Sequence, residues 1–103
     1  MAKQRESKLS GKIMEALRKE GIFCFKVHGS EHMMSGLPDI IACVDGLFVG
    51  LEVKHPETRD NLSERQKYIQ KQIRTANGIC ETVTTKIEAL GVINQIRANQ
   101  NRP

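Results

Sequence analysis

Three segments of the chain place apolar residues every three or four positions, which is the spacing of one helix face. The clearest of them carries Leu9, Ile13 and Leu17, followed by Gly21 where a C-terminal cap belongs. A chain of 103 residues suits one domain with one core, which we place at about residues 6–98 of a domain spanning 1–103. The predicted helices cover about residues 6–20, 64–76 and 85 onward, with frayed tails at 1–5 and 98–103.

Four shorter apolar segments predict β-strands. The best defined are residues 39–44 and 47–54, joined by Asp45-Gly46, a pair typical of two-residue hairpin turns because both positions need positive φ. Both hairpin strands are apolar on both faces, which indicates a sheet covered by helices on each side. With strands at residues 22–27 and 79–83, the order α-β-β-β-α-β-α predicts an α/β fold with a mixed sheet flanked by helices.

Composition narrows the functional class only slightly. Hydrophobic residues make up 39% of the chain and charged residues 27%, which is ordinary for a soluble globular protein. No apolar run approaches the roughly 20 residues of a membrane span, and the polar start of the chain lacks the apolar stretch of a secretory signal. The net charge of +4 permits a polyanionic partner without proving one.

The three cysteines indicate a reducing compartment. Cys24, Cys43 and Cys80 lie in apolar segments and show no CxxC spacing, so each is expected to be a small buried side chain rather than a metal ligand or half of a disulfide. Together with the absence of a targeting segment, this usage predicts a cytoplasmic protein.

The register of the hairpin brings two carboxylates together. A two-residue turn sets Val44 opposite Leu47, and counting back along both strands sets Asp39 opposite Glu52 on the same face. Directly opposed Cβ atoms lie roughly 5 Å apart, so one carboxyl must take a proton or a cation must neutralise the pair. A hard divalent cation such as Mg²⁺ prefers carboxylate oxygen. The register therefore predicts a metal site between the two strands.

Two further hairpin residues fit this interpretation. Lys54 lies one step along on the same face as Glu52 and supplies a cationic neighbour, and Gly50, which has no side chain, is expected to leave open space beside the pair. The alternative is that Glu52 and Lys54 form a surface pair near a strand end while Asp39 merely ends a loop. Three charged groups on one face of an otherwise apolar hairpin favour the site.

Two polar residues outside the hairpin have two interpretations each. Glu6 continues the apolar stripe of the first helix toward the sheet, which fits a site residue, but it also suits the first helical turn as a favourable charge. Gln66 is the third residue after Ser63, which is the spacing of a reciprocal capping box. Spacing alone does not decide between the two interpretations of Glu6, and it favours capping for Gln66.

Four ordered motifs of the chain resemble the VRR-NUC branch of the PD-(D/E)xK nuclease superfamily. These are "GLPDII", then "LEVK", then "LSERQ" opening a helix, and upstream the helix "ESKLSGKIMEALRKEG" with its early glutamate. The resemblance covers about residues 6–84. A lone D…ExK pattern is common by chance, but four blocks in this order and spacing are much more specific. The resemblance implies the restriction-endonuclease-like form of the predicted fold.

The resemblance also implies a metal centre and assigns its ligands. Asp39 and Glu52 would bind a divalent ion, Mg²⁺ or Mn²⁺, with the carbonyl oxygen of Val53 in its shell, and Glu6 would assist that ion or a second one. Lys54 would position or activate the attacking water and stabilise developing charge. In a separate role, the amide of Gln66 would orient the site, in addition to any capping.

The function that the resemblance implies is metal-dependent endonucleolytic cleavage of DNA. The chain is similar to stand-alone, often viral, members of the family, which act as homodimers on branched DNA such as four-way (Holliday) junctions, in the host cytoplasm for a viral protein. An alternative is a DNA-binding or scaffold module that keeps the fold without the chemistry.

Overall fold

The computed structural model describes residues 2–30 and 32–100, with side chains from residue 5 onward. The elements follow the predicted order α-β-β-β-α-β-α, with a short 3₁₀ turn at Pro56–Thr58. Helices and strands begin and end as follows: α1 Ala2–Lys19, β1 Phe23–Lys26, β2 Ile40–Val44, β3 Leu47–Val53, α2 Glu64–Thr75, β4 Ile79–Val83 and α3 Lys86–Gln100.

The four strands form one mixed sheet in the order β1-β2-β3-β4. β1, β2 and β3 are antiparallel neighbours, while β4 lies parallel to β3, so α2 serves as the crossover between them. The turn between β2 and β3 has positive φ at both Asp45 (51°) and Gly46 (85°). This turn sets Val44 opposite Leu47, which confirms the predicted hairpin register.

Helices α1 and α3 pack together on one face of the sheet and enclose the core. Alternate residues of β2 point into this layer, so its buried positions follow a period of two, whereas β3 is buried at every residue from Val49 to Val53. The most deeply buried side chains of this layer are aliphatic, as expected for a chain with few aromatic residues: Ile13, Leu17, Ile40, Val44, Val49, Leu51, Val53, Val83 and Ile93.

Helix α2 lies on the opposite face, against β4 and the adjoining side of β3. Its N-cap is Ser63, whose hydroxyl accepts a hydrogen bond from the Gln66 backbone N–H, and the Gln66 side chain accepts one from the Ser63 N–H. The predicted capping box is therefore confirmed. Both faces of the sheet carry helices, but on this second face the structure places no helix over β1 and β2 among residues 2–30 and 32–100.

Three local predictions were wrong. Residues 2–5, expected to be frayed, extend α1 to Ala2, and α3 continues to Gln100, because these segments consist largely of good helix formers; residues 1 and 101–103 lie outside the described part. Cys43 is exposed, unlike Cys24 and Cys80, because its face of β2 has no covering helix. The sequence also places Thr85 and Glu88 at the spacing of a capping box, but the Glu88 carboxylate accepts from the Thr84 backbone N–H, so only the bond from the Glu88 N–H to the Thr85 hydroxyl forms.

None of the helices within the described ranges is long and apolar enough to cross a lipid bilayer.

Candidate active site

The side chains of Asp39 and Glu52 meet on the face of the sheet that carries α2, at the open end of the β2–β3 hairpin. Ile40 pairs with Leu51, so Asp39 is the next residue outward on one strand and Glu52 the next on the other. Their carboxyl groups are close enough to share a hydrogen bond. The structure thus brings together the two carboxyls on which the sequence-based hypothesis depends, on one face of the sheet.

Glu52 is an unusual carboxyl because it is almost wholly buried, with 3% of the residue exposed. Burial, followed by the charge of Asp39 and the hydrogen bond with it, raises the pKa of Glu52 from 4.5 to about 8. The Lys54 ammonium acts in the opposite direction and lowers this pKa, and the Glu6 carboxylate raises it slightly further. The protein therefore holds a carboxyl pair, with Glu52 buried and Asp39 half-buried, that its own cations neutralise only in part.

Gln66 connects α2 to this pair. Its amide Nε2 donates a hydrogen bond to Glu52 Oε1 at 3.1 Å, while its Oε1 accepts from the Ser63 backbone N–H at 2.9 Å. The two interpretations of Gln66 are therefore compatible, since one side chain caps the helix and orients the Glu52 carboxyl. Because the cap fixes the first turn of α2, the position of the amide donor follows from local sequence.

The Asp39 carboxylate is held by two donors on different strands. Its Oδ2 accepts the Val53 backbone N–H at 2.7 Å, and its Oδ1 lies 3.6 Å from Lys26 Nζ. Sequence analysis did not single out Lys26. Its proximity depends on the pairing of β1 with β2, and the loop between them contains no turn motif that would fix this register. Lys26 therefore belongs to the site as a second cation beside the carboxyl pair.

Lys54 and the Val53 carbonyl complete the β3 side. The Lys54 backbone N–H donates to Val83 O on β4 at 3.0 Å, which anchors this end of the strand. In an extended strand the N–H and C=O of one residue leave toward the same neighbouring strand. Since the Val53 N–H points at Asp39, the Val53 carbonyl oxygen lies on the same side as the carboxyl pair.

Glu6 lies at the margin of this group. Its Oε2 accepts a hydrogen bond from the His55 backbone N–H at 3.4 Å, and its charge contributes to the raised pKa of Glu52. Next to Glu6 on α1, the Arg5 guanidinium lies 3.4 Å from His55 Nε2. The start of α1 is thus attached to the residue that follows Lys54, and Glu6 points toward the sheet as its place on the core-facing stripe indicates.

The prediction of open space beside Gly50 was wrong. Pro38 fills that space: a Cβ placed on Gly50 would lie 2.6 Å from Pro38 Cγ and 3.4 Å from Cys80 Sγ. Gly50 is therefore required by the close approach of Pro38, which is itself fully buried. This packing holds the residue before Asp39 against β3 and so fixes where the Asp39 carboxylate lies.

The donor set fits a small, hard divalent cation. No group of three or more His, Cys, Asp and Glu side chains converges as a metal cage in the part of the chain that the structure describes. Mg²⁺ does not need such a cage, because it binds through one or two carboxylates and retains several waters. The raised pKa of Glu52 shows that added positive charge would be favourable here, and Asp39, Glu52 and the Val53 carbonyl are the groups that could hold the ion.

Comparison with known proteins identifies the architecture. No family model matches the sequence, and no curated protein does. Among solved structures, a protein described as a VRR_NUC domain superposes with a TM-score of 0.71 at 20% sequence identity, over 87% of this chain and 95% of that one. At this identity the likeness defines the fold. The chain therefore has the fold of that VRR_NUC domain, as the motif resemblance predicted.

Proposed function

We propose that this protein is a divalent-metal-dependent DNA endonuclease that hydrolyses phosphodiester bonds in branched DNA such as four-way junctions. The observation that carries the proposal is the buried Glu52 carboxyl held next to the half-buried Asp39 carboxyl, only partly neutralised, with Lys54 beside it. A purely structural domain gains nothing from this arrangement, because burying a carboxyl next to a second one lowers stability unless a proton or a cation joins them. The VRR_NUC fold adds independent support.

In this proposal the chain's own residues bind, orient and stabilise. Asp39, Glu52 and the Val53 carbonyl hold Mg²⁺ or Mn²⁺, which when bound lowers the pKa of water and stabilises charge at phosphorus. Lys54 holds the attacking water by hydrogen bonding and places positive charge next to the phosphate oxygens as their charge increases. Gln66 keeps the Glu52 carboxylate in one orientation.

Further charges at the margin of the site support its use on a polyanion. Lys26 balances Asp39 before the metal binds, and Glu6 assists the primary ion or a second one from α1. The excess of 16 Lys and Arg over 12 Asp and Glu favours binding to a phosphate backbone, with an affinity that falls as salt rises. We further propose a homodimer, because a two-fold pair of sites suits two symmetric cuts in a four-way junction.

A cleavage assay tests the proposal. End-labelled four-way junction, flap and linear duplex are incubated with the protein in Mg²⁺ or Mn²⁺, and then in EDTA. We expect metal-dependent cutting of branched substrates, abolished by Lys54→Ala with DNA binding retained. Lys86→Ala is the matched control, since Lys86 is exposed at the start of α3 and has no contact with the carboxyl pair.

The outcomes separate the nuclease from its alternative. Binding to branched DNA without cutting in any metal would instead support a DNA-binding or scaffold module of the same fold. Cutting that persists in Lys54→Ala, or in EDTA, would contradict the proposed chemistry.

A further inference from the structure

One face of the sheet exposes a row of apolar side chains beside the candidate active site. Phe23 pairs across the sheet with Cys43 and through it with Phe48, and Phe25 pairs with Ile41, so these residues share one face. Phe23 is 70% exposed and Phe25 and Phe48 are 46% exposed each. We refer to these five residues as the aromatic face. It extends across β1, β2 and the start of β3, and only its Phe48 end borders α2.

The aromatic face continues into a groove beside α2. Met34 and Tyr68 are each at least half exposed, and both line a cavity of about 480 Å³ with Phe48. At roughly 200 Å² for each large side chain, the exposed parts of five residues leave about 500 Å² of apolar surface in water: Phe23, Phe25, Met34, Phe48 and Tyr68. Patches of this size are at the upper end of what monomers expose and usually mark an interaction site.

We propose that the aromatic face is the surface on which a second copy of this chain packs. Two copies that pack through the aromatic face and the adjoining Met34 and Tyr68 would together bury about 1,000 Å² from these large side chains alone, which meets the lower bound of about 1,000 Å² for a specific interface. The chain carries a net charge of +4, so two copies repel each other overall. None of the five residues of the aromatic face is charged, so packing through this face adds no contact between like charges. In a two-fold interface the same apolar surface serves both partners.

A nucleic acid is a poorer occupant of the aromatic face. Single strands bind to flat rings that alternate with cations along the backbone. Here the rings of Phe23 and Phe25 are tilted by 58° with centroids 6.0 Å apart, so they pack against each other. Of the other three members, Ile41 and Cys43 offer no platform for a base, which leaves Phe48 as the one further ring of the face. This inference deepens the proposed function by naming the surface that would join its two active sites.

The mass of the protein in solution tests the inference without DNA and in EDTA. By sedimentation equilibrium, wild type should have twice the monomer mass at about 100 µM and dissociate on dilution. The double variant Phe23→Ser/Phe25→Ser should remain monomeric at the same concentration. Ile87→Ser is the matched control because Ile87 is 79% exposed on α3, away from the aromatic face, and it should leave the dimer intact.

Thiol labelling of the wild type provides a second measurement that does not depend on any variant folding. Cys43 is exposed in one copy, whereas burial raises the pKa of Cys24 and raises that of Cys80 to about 11, so those two react slowly. Cys43 should react with a maleimide several-fold more slowly at about 100 µM protein than at about 1 µM, because pairing covers it.

Several results would overturn the inference. These are a wild-type monomer at the higher concentration, a dimer that survives in the double variant, or Cys43 labelling that is independent of concentration. If the double variant loses affinity for single-stranded DNA with no change of mass, the face binds nucleic acid instead. Because neither DNA nor metal is present in the mass measurement, a failure of the cleavage assay leaves this result unaffected.

Discussion

The carboxyl groups of Glu52 and Glu88 differ in their partners, and their pKa values shift in opposite directions. Glu88 forms hydrogen bonds with the Arg59 guanidinium and with the hydroxyl and backbone N–H of Thr84, and these lower its pKa to about 2. Glu52 is buried beside another carboxyl, and its pKa rises to about 8. One carboxylate is fully satisfied by the fold, and the other is not.

The difference distinguishes a structural carboxylate from one that is available to bind a ligand. The Glu88 group attaches the loop after the 3₁₀ turn to the start of α3, and no charge remains to be balanced. The Glu52 group has one amide donor from Gln66 and a repulsive neighbour in Asp39, so the site gains most by binding a cation. Perturbed carboxyls of the second kind cluster at functional sites.

The largest expected effect is on catalysis. Glu52→Gln should reduce the rate of metal-dependent DNA cleavage by roughly a thousandfold or more, because a neutral amide removes a metal ligand. Glu88→Gln, the same change at the satisfied carboxylate, should reduce the rate only through its effect on stability. Initial rates on a labelled four-way junction at a temperature where both variants are folded check this pair. Equal losses of cleavage rate in the two variants would contradict the distinction between the Glu52 and Glu88 carboxyls.

A smaller effect is expected at the residue that both caps α2 and orients Glu52. Gln66→Ala should lower metal affinity by about 10- to 100-fold, as is typical when the partner of a metal ligand is removed, and should also cost about 1 kcal/mol of stability through the lost cap. Ser63→Ala removes the same cap and leaves the hydrogen bond to Glu52. Calorimetric metal titration should therefore separate the two variants, while thermal melts should not. Equal metal affinities in the two variants would show that Gln66 acts only as a helix cap.

A further effect is expected on stability, and its sign depends on pH. In EDTA the folded protein keeps the Glu52 proton up to about pH 8, whereas the unfolded chain releases it near 4.5. Stability from this group therefore falls as pH rises between those values, by roughly 5 kcal/mol for a shift of this size. Glu52→Gln should remove that slope and melt at a higher temperature than wild type at pH 8.5.

Glu88 serves as a control, because its contribution to stability should depend on pH in the opposite direction. Its lowered pKa means that its contribution is present above about pH 4.5 and is lost as pH falls toward 2. Glu88→Gln should therefore lower the melting temperature at pH 7 and have little effect near pH 2. Melts of both variants across this pH range check the two signs, and a shared sign would contradict the comparison.

The sequence was most informative where short-range chemistry determines geometry. The Asp45-Gly46 turn fixes the hairpin register, and that register alone brings Asp39 to Glu52. The Ser63 cap likewise fixes Gln66 within one helical turn. In both cases the controlling residues are close in the chain and have few conformational alternatives.

Contacts between distant segments could not be predicted in this way. Lys26 reaches Asp39 only because β1 pairs with β2 across a long loop. The bond between Arg59 and Glu88 joins a loop to a helix with no pattern that links them. The role of Gly50 was misjudged for the same reason, since the packing of Pro38 against it depends on how the preceding loop returns to the sheet.

The most direct test of the account is to titrate the wild-type protein with Mn²⁺ or Mg²⁺ at several pH values and to measure the metal affinity by calorimetry. Because the ion must displace the Glu52 proton, the apparent affinity should rise about tenfold per pH unit from pH 6 to about 8 and then level off. Glu88→Gln should reproduce this curve, and Glu52→Gln should bind weakly with little dependence on pH. An affinity that is independent of pH in wild type, or unchanged in Glu52→Gln, would show that this carboxyl pair is not the metal site.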